Sequence, residues 1–226
     1  MPARPARPTG VAADASVTDP ATVNPADDTR TRLVQTMSRA LQQRGYHGIG
    51  LAELLASAGA PKGVLYHHFP GGKQALAVAA IDATAAHIHR SLDRLTEEQA
   101  PPLPVLAGWL QMAQAQLERS DYERGCPLAT VALESTAADV ALRDALARAF
   151  DGIRTRLARL LQRAGVSEGR AIGLAALVVS SYEGALIQAR VARSGAPMAA
   201  AAETLLALLK HELPAAAARP DPKATP

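Results

Sequence analysis

Leu142, Leu146, Phe150, Ile153, Leu157 and Leu160 recur at steps of four, four, three, four and three. Residues at those steps share one side of a coil with 3.6 residues per turn, so the chain can bury them together only as a helix. Apolar lines of this kind recur between the two ends of the sequence. Composition agrees with them: 48% of the residues are hydrophobic but only 3% are aromatic. Alanine and leucine supply most of that content, while the β-branched and aromatic residues that favour strands are sparse. The fold class predicted is all-α, with about nine helices.

The first helix is expected over about 28–44, capped by Asp28, with Leu33, Val34, Met37, Ala40 and Leu41 on its apolar side and Gly45 as its left-handed stop. A short second helix follows at 51–57, closed by Gly59. A third is expected at 62–69, entered through Pro61, which has no N–H to leave unpaired there. Later helices are expected at 73–98, 103–119, 128–135, 139–164, 168–194 and 197–213. Residues 1–27 and 214–226 are rich in Pro and Ala with no apolar period, and are expected to be disordered tails. Residues 28–75 then form one module and 76–213 a larger helical body.

Several chemistries find no support. Cys126 is the single cysteine, so no intramolecular disulfide can form. No apolar leader opens the chain, and the longest apolar stretch, near 174–179, is too short to span a bilayer. A cytoplasmic protein without membrane contact is expected. His67 and His68 are adjacent on a helix, about 100° apart, and no third ligand accompanies them, so no metal site is expected. His87, Glu134 and Glu183 lack any nucleophile elbow, phosphate loop or paired-carboxylate pattern. Neither an enzyme nor a cofactor is expected.

Residues 59–73 carry the most chemical information. Lys62, Tyr66, His67 and His68 lie on a short helical stretch without an acid, and Lys73 stands where the next helix opens. From residue 29 to 75 there are six Lys/Arg against the single acid Glu53, a charge of +5; with +3 for the whole chain, the rest is −2. A basic module on a slightly acidic body suits an anionic partner. Two short helices joined by a tight glycine-containing turn make a helix-turn-helix.

The run from Ala58 to Pro70, with Gly45-Tyr46 before it and Lys73 after it, resembles the TetR family of bacterial transcriptional regulators. Ala60-Pro61-Lys62-Gly63, His67 to Lys73 and the later Gly125-Cys126-Pro127-Leu128 are similar to its LmrA/YxaF-like branch. The resemblance implies an N-terminal three-helix helix-turn-helix module and a C-terminal ligand-binding and dimerisation domain. It also implies roles for single residues. Gly63 lets the helix lie close to the DNA backbone. Tyr66, His67 and Lys73 contact phosphate, with His67 also near base edges and His68 either a further contact or a packed core histidine. Lys62 reads guanine and Val64 touches a thymine methyl, while Leu65 and Phe69 pack inward. Gly50 stands where the family usually has a capping threonine that touches phosphate, so that hydroxyl is missing. Gly71-Gly72 lengthens the next turn by one residue relative to many members.

In the body, the segment from Ile172 to Ile187 is apolar nearly all round, which suggests burial on every side. A homodimer through the last two helices is expected, with Val179, Glu183, Leu186, Ile187, Leu205 and Leu209 at the interface. Trp109, Met112, Gln116, Cys126, Phe150 and Tyr182 are the candidate lining of a small-molecule pocket. These features predict a dimeric repressor on a near-palindromic operator in the bacterial nucleoid, released by a small effector, with the fourth helix as the link. An activator of the same architecture, or a helical dimer that has lost DNA binding, are the other readings.

Overall fold

The computed structural model describes residues 25–214. Among them are nine α-helices and no strand. They are α1 (Pro25–Arg44), α2 (Leu51–Ala58), α3 (Lys62–His68), α4 (Gly72–Glu97), α5 (Pro102–Arg119), α6 (Pro127–Glu134), α7 (Val140–Arg163), α8 (Glu168–Ala192) and α9 (Ala196–Glu212). The boundaries fall within three residues of those the sequence predicts.

The start of the chain needs a correction. Residues 25–27, expected in the tail, already belong to α1, which begins at Pro25, a residue that fits a first helical turn. Asp28 is therefore no cap. It lies inside the first turn and pairs with Arg32 at 3.0 Å. The rest of the expected tails, residues 1–24 and 215–226, falls outside the described residues.

Apolar periodicity translates directly into packing. Leu33, Val34, Met37, Ala40 and Leu41 of α1 are all buried, as are Leu142, Leu146, Ile153, Leu157 and Leu160 of α7. The pair α4 and α7 forms the centre of the body; α8 packs on α7, and α9 covers α8 and α5. On the other side α1 rests against α4 and α6. One core of buried residues runs unbroken from Leu33 to Leu213. The module of α1–α3 is thus welded to the body through α4, which begins beside α3 and runs on along α7.

Two expectations about α8 change. At 25 residues it is long and apolar enough to cross a membrane by length and composition. Here it is a packed helix between α7 and α9, tied at its start by Arg170, which pairs with Glu212 at the end of α9. The expected interface residues also move. Val179, Leu186, Leu205 and Leu209 are buried within the single chain, and Glu183 faces an internal cavity. Apolar residues on all sides do not reveal which side the chain covers itself. The outward face carries Leu177, Ile187 (42% exposed) and Val191 (82%) from α8 and Leu208 from α9. A groove between the two helices is lined by Ser180, Ser181, Gly184 and Gln188 on one side and Pro197, Ala200 and Thr204 on the other.

Candidate nucleic-acid interface

The third helix is short because its ends are fixed. Gly59 closes α2 in the left-handed conformation (φ 59°), and extended Pro61 opens α3. Leu65 and Phe69 point inward and are buried. That leaves Lys62, Gly63, Tyr66 and His67 on the exposed side, with Val64 and His68 half-buried beside them. No acid lies on this face. Gly63 has open space where a Cβ would project, so nothing in the protein itself demands glycine there.

Tyr66 is positioned by the turn that follows. Its ring packs over Gly72, where an added Cβ would sit 3.2 Å from Tyr66 Cε1. Gly72 also has a φ of +63°, a conformation that side chains disfavour. Gly72 thus leaves room for the phenol against the start of α4. Gly50 caps α2 with its backbone alone, its carbonyl accepting from Leu54 N at 3.1 Å.

Much of the module's basic charge is committed within the protein. Arg44 pairs with Glu53 at 2.7 Å. Arg32 Nε donates to Ala58 O at 2.9 Å, closing the end of α2, and Arg30 lies over the Phe69 ring. Lys73 is drawn inward: its Nζ donates to Tyr46 O at 2.6 Å and sits 4.4 Å from the centre of the Tyr46 ring. Burial lowers the Lys73 pKa, with nearby Glu134 opposing the shift. Lys62 is the exposed cation on α3 itself.

Sequence reasoning missed the joint between this module and the body. Glu134, the last residue of α6, accepts from Tyr46 N at 2.7 Å and His47 N at 3.1 Å through Oε2. Gly45 makes the approach possible, since a Cβ there would lie 1.7 Å from Glu134 Oε1. Nearby, His47 Nε2 is 3.7 Å from Asp139 Oδ2. Hydrogen bonds from the Thr136 backbone and hydroxyl, and then His47, hold the Asp139 carboxyl below its ordinary range. The end of α1 is closed by the body as well: Gly125 N donates to Gln42 O at 3.2 Å and Arg190 to Gln43 O at 2.8 Å.

The opposite end of α6 walls a cavity of about 100 Å³. Trp109 and Gln116 of α5, Cys126, Phe150 of α7 and Tyr182 of α8 line it, together with Glu183, Val179 and Leu186. The Trp109 and Tyr182 rings lie 4.3 Å apart. Met112 is a correction: it is 61% exposed and outside the cavity. The buried line of α5 is Leu106, Leu110 and Leu117; at about 100° per residue Trp109 and Gln116 flank that line, whereas Met112 lies about 60° further round. Burial pushes the Cys126 thiol well above its ordinary value, so it is a poor thiolate at neutral pH.

An exposed, acid-free helix following a tight turn, on a module braced by a larger helical body, defines a helix-turn-helix DNA-binding protein. Residues 35–80 match the model of bacterial regulatory proteins of the tetR family, and 102–204 match the transcriptional regulator LmrA/YxaF-like C-terminal domain. The chain belongs to the TetR family of DNA-binding transcriptional regulators. It is 33% identical over 190 residues to an uncharacterized HTH-type transcriptional regulator of Mycobacterium tuberculosis, covering 82% of this chain and 96% of that protein. It is 28% identical over 184 residues to the HTH-type transcriptional regulator LmrA of Bacillus subtilis, covering 81% and 98%. The crystal structure of Escherichia coli NemR in its reduced form, an HTH-type transcriptional repressor, superposes with a TM-score of 0.67 at 28% identity, covering 83% of this chain and 98% of that one.

Proposed function

We propose that the chain is a repressor that binds a near-palindromic operator as a homodimer and releases it when a small molecule enters the cavity. The observation that carries this reading is the double attachment of α6. Its first turn walls the cavity, and its last residue, Glu134, holds the backbone of the turn between α1 and α2. An occupant that displaces α6 by a fraction of an ångström acts on the DNA module with no other intermediary, and α4 supplies a second path. The coupling this requires is of order 1–3 kcal/mol.

Residues 28–75 are then the DNA-binding module and 76–213 the ligand-binding and dimerisation part. Lys62 and Val64 read bases, while Tyr66, His67 and His68 hold phosphate, and Gly50 and Gly63 let the backbone approach. Lys73 donates to phosphate with the protons that Tyr46 leaves free. Two copies of α3 would enter successive major grooves about 34–36 Å apart. The outward apolar residues of α8 and α9 form the two-fold contact. The protein works in the cytoplasm on nucleoid DNA, and the description of its E. coli relative as a repressor favours repression over activation.

Gel shifts on the DNA upstream of the protein's own gene test this reading, followed by transcription of the same template with and without protein. Retarded DNA and reduced transcript are expected. No shift, or increased transcript, refutes it.

A further inference from the structure

The cavity holds one carboxylate in unusual surroundings. Among the described residues, Glu183 Oε2 is buried with no hydrogen-bond partner. The Cys126 thiol donates toward this carboxyl. The other charged residue of the lining is Arg124, whose side chain is exposed. Arg190, two turns further along α8, is committed to Gln43 O at 2.8 Å. Buried carboxylates are ordinarily paired with a cation or with several N–H donors. Here desolvation dominates, raising the Glu183 pKa to about 7.

The remaining walls favour positive charge. Trp109 and Tyr182 stack on one another with ring centroids 4.3 Å apart, and both line the cavity together with Phe150. Aromatic faces attract cations, most strongly in desolvated sites. Ile88, Leu128, Ile153 and Val179 make the rest of the lining apolar. The volume of about 100 Å³ is on the scale of one small ring, given that an apolar cavity of about 150 Å³ takes benzene.

We propose that this cavity is a receptor for a small organic ammonium ion, an amine with a compact apolar body. Its N–H⁺ donates to the Glu183 carboxylate, and its body lies against Trp109, Tyr182 and Phe150. The inference rests on reading the cavity as the effector site and gives that effector a chemical class. A neutral carbonyl compound would instead need Glu183 protonated as a donor. An anion would meet like charge.

The test uses the full-length protein and three probes of one shape: benzylammonium, benzyl alcohol and benzoate. Binding is read by calorimetry and by the fluorescence of Trp109, the single tryptophan. At pH 8 benzylammonium is expected to bind at least about tenfold more tightly than benzyl alcohol, the return on one charge-assisted hydrogen bond, and benzoate not at all. Glu183→Gln should erase the preference for the cation over the alcohol. Benzylammonium affinity should rise from pH 6 to pH 8 as Glu183 loses its proton. Cys126 and Tyr182, both pushed up by burial, stay neutral over that range, and arginine keeps its charge.

Equal or tighter binding of benzyl alcohol or benzoate overturns the proposal. So does affinity that falls with rising pH, a cation preference that survives Glu183→Gln, or failure of all three probes to bind. Operator gel shifts with benzylammonium separate the two readings. Cation binding without operator release upholds the ammonium site and refutes its role as the effector site. Operator binding that another compound relieves, with no response to benzylammonium, refutes the ammonium class and leaves the repressor standing.

Discussion

Replacing Gly45 by Ala and Glu134 by Ala, singly and together, measures the joint between the DNA module and the body. Glu134→Ala removes the acceptor of two charge-assisted bonds, to Tyr46 N and His47 N. Bonds to charged groups contribute about 1.5–3 kcal/mol each when buried. Glu134 is half-buried and water can reach the freed His47 amide, so the expected loss is about 2–3 kcal/mol in total. Gly45→Ala places a methyl where Glu134 Oε1 now sits, 1.7 Å from the ideal Cβ, and in a backbone with φ of 71°. The carboxylate must then leave, so this variant loses the same two bonds and also takes on about 1–2 kcal/mol of left-handed strain. Its expected cost is about 3–5 kcal/mol. In the Glu134→Ala background only the strain remains, because nothing is left to displace. The two substitutions should therefore be non-additive, with a coupling energy of about 2–3 kcal/mol. Urea unfolding at one fixed protein concentration reads all four corners of the cycle, fixed because dimer stability depends on mass action. Additivity within about 0.5 kcal/mol would refute the joint.

Three further outcomes are expected. Glu183 holds its proton to about pH 7 when folded but only to about 4.5 when unfolded. The folded state thus binds more protons in that window, and stability should fall as pH rises through it, by at most about 3 kcal/mol. Glu183→Gln should flatten this slope in urea titrations from pH 5 to 8; an unchanged slope assigns it to another group. Lys73→Ala should weaken binding to all DNA sequences alike and reduce the salt dependence by about one unit, whereas Lys62→Ala should weaken binding selectively; the reverse pattern would exchange their roles. Val191→Asp with Leu208→Glu should yield a folded monomer by light scattering, since both residues are outward, and a persistent dimer would place the contact elsewhere.

Sequence periodicity located the helices because steps of three and four leave no other way to bury leucine. It also bounded the third helix, since Gly59, Pro61 and the buried Leu65 and Phe69 are local signals. It failed where burial depends on distant partners. Leu186 and Leu209 looked like interface residues because periodicity marks apolar faces without saying whether α7 or a second chain covers them. Met112 looked like lining because it lies one turn from Trp109 and from Gln116, but the rotation left over from a whole turn carries it into solvent. In the sequence Glu134 is legible only as an acid. Its partners are backbone N–H groups 88 and 87 residues away, and main-chain donors leave no trace in side-chain pattern. Lys73 was legible as a cation, but the Tyr46 carbonyl that draws it inward was not.

The end of α1 has a consequence for the timing of synthesis. Gln42 and Gln43 offer carbonyls that α1 itself cannot pair, and Gly125 and Arg190 supply the donors. The end of α1 is thus completed by a residue 147 positions later in the chain. N-terminal domains generally fold first during translation; this one reaches its final hydrogen bonding only after Arg190 has emerged. A product that stops before Arg190 would lack this donor at the end of α1, and α1–α3 would rest on an unfinished support.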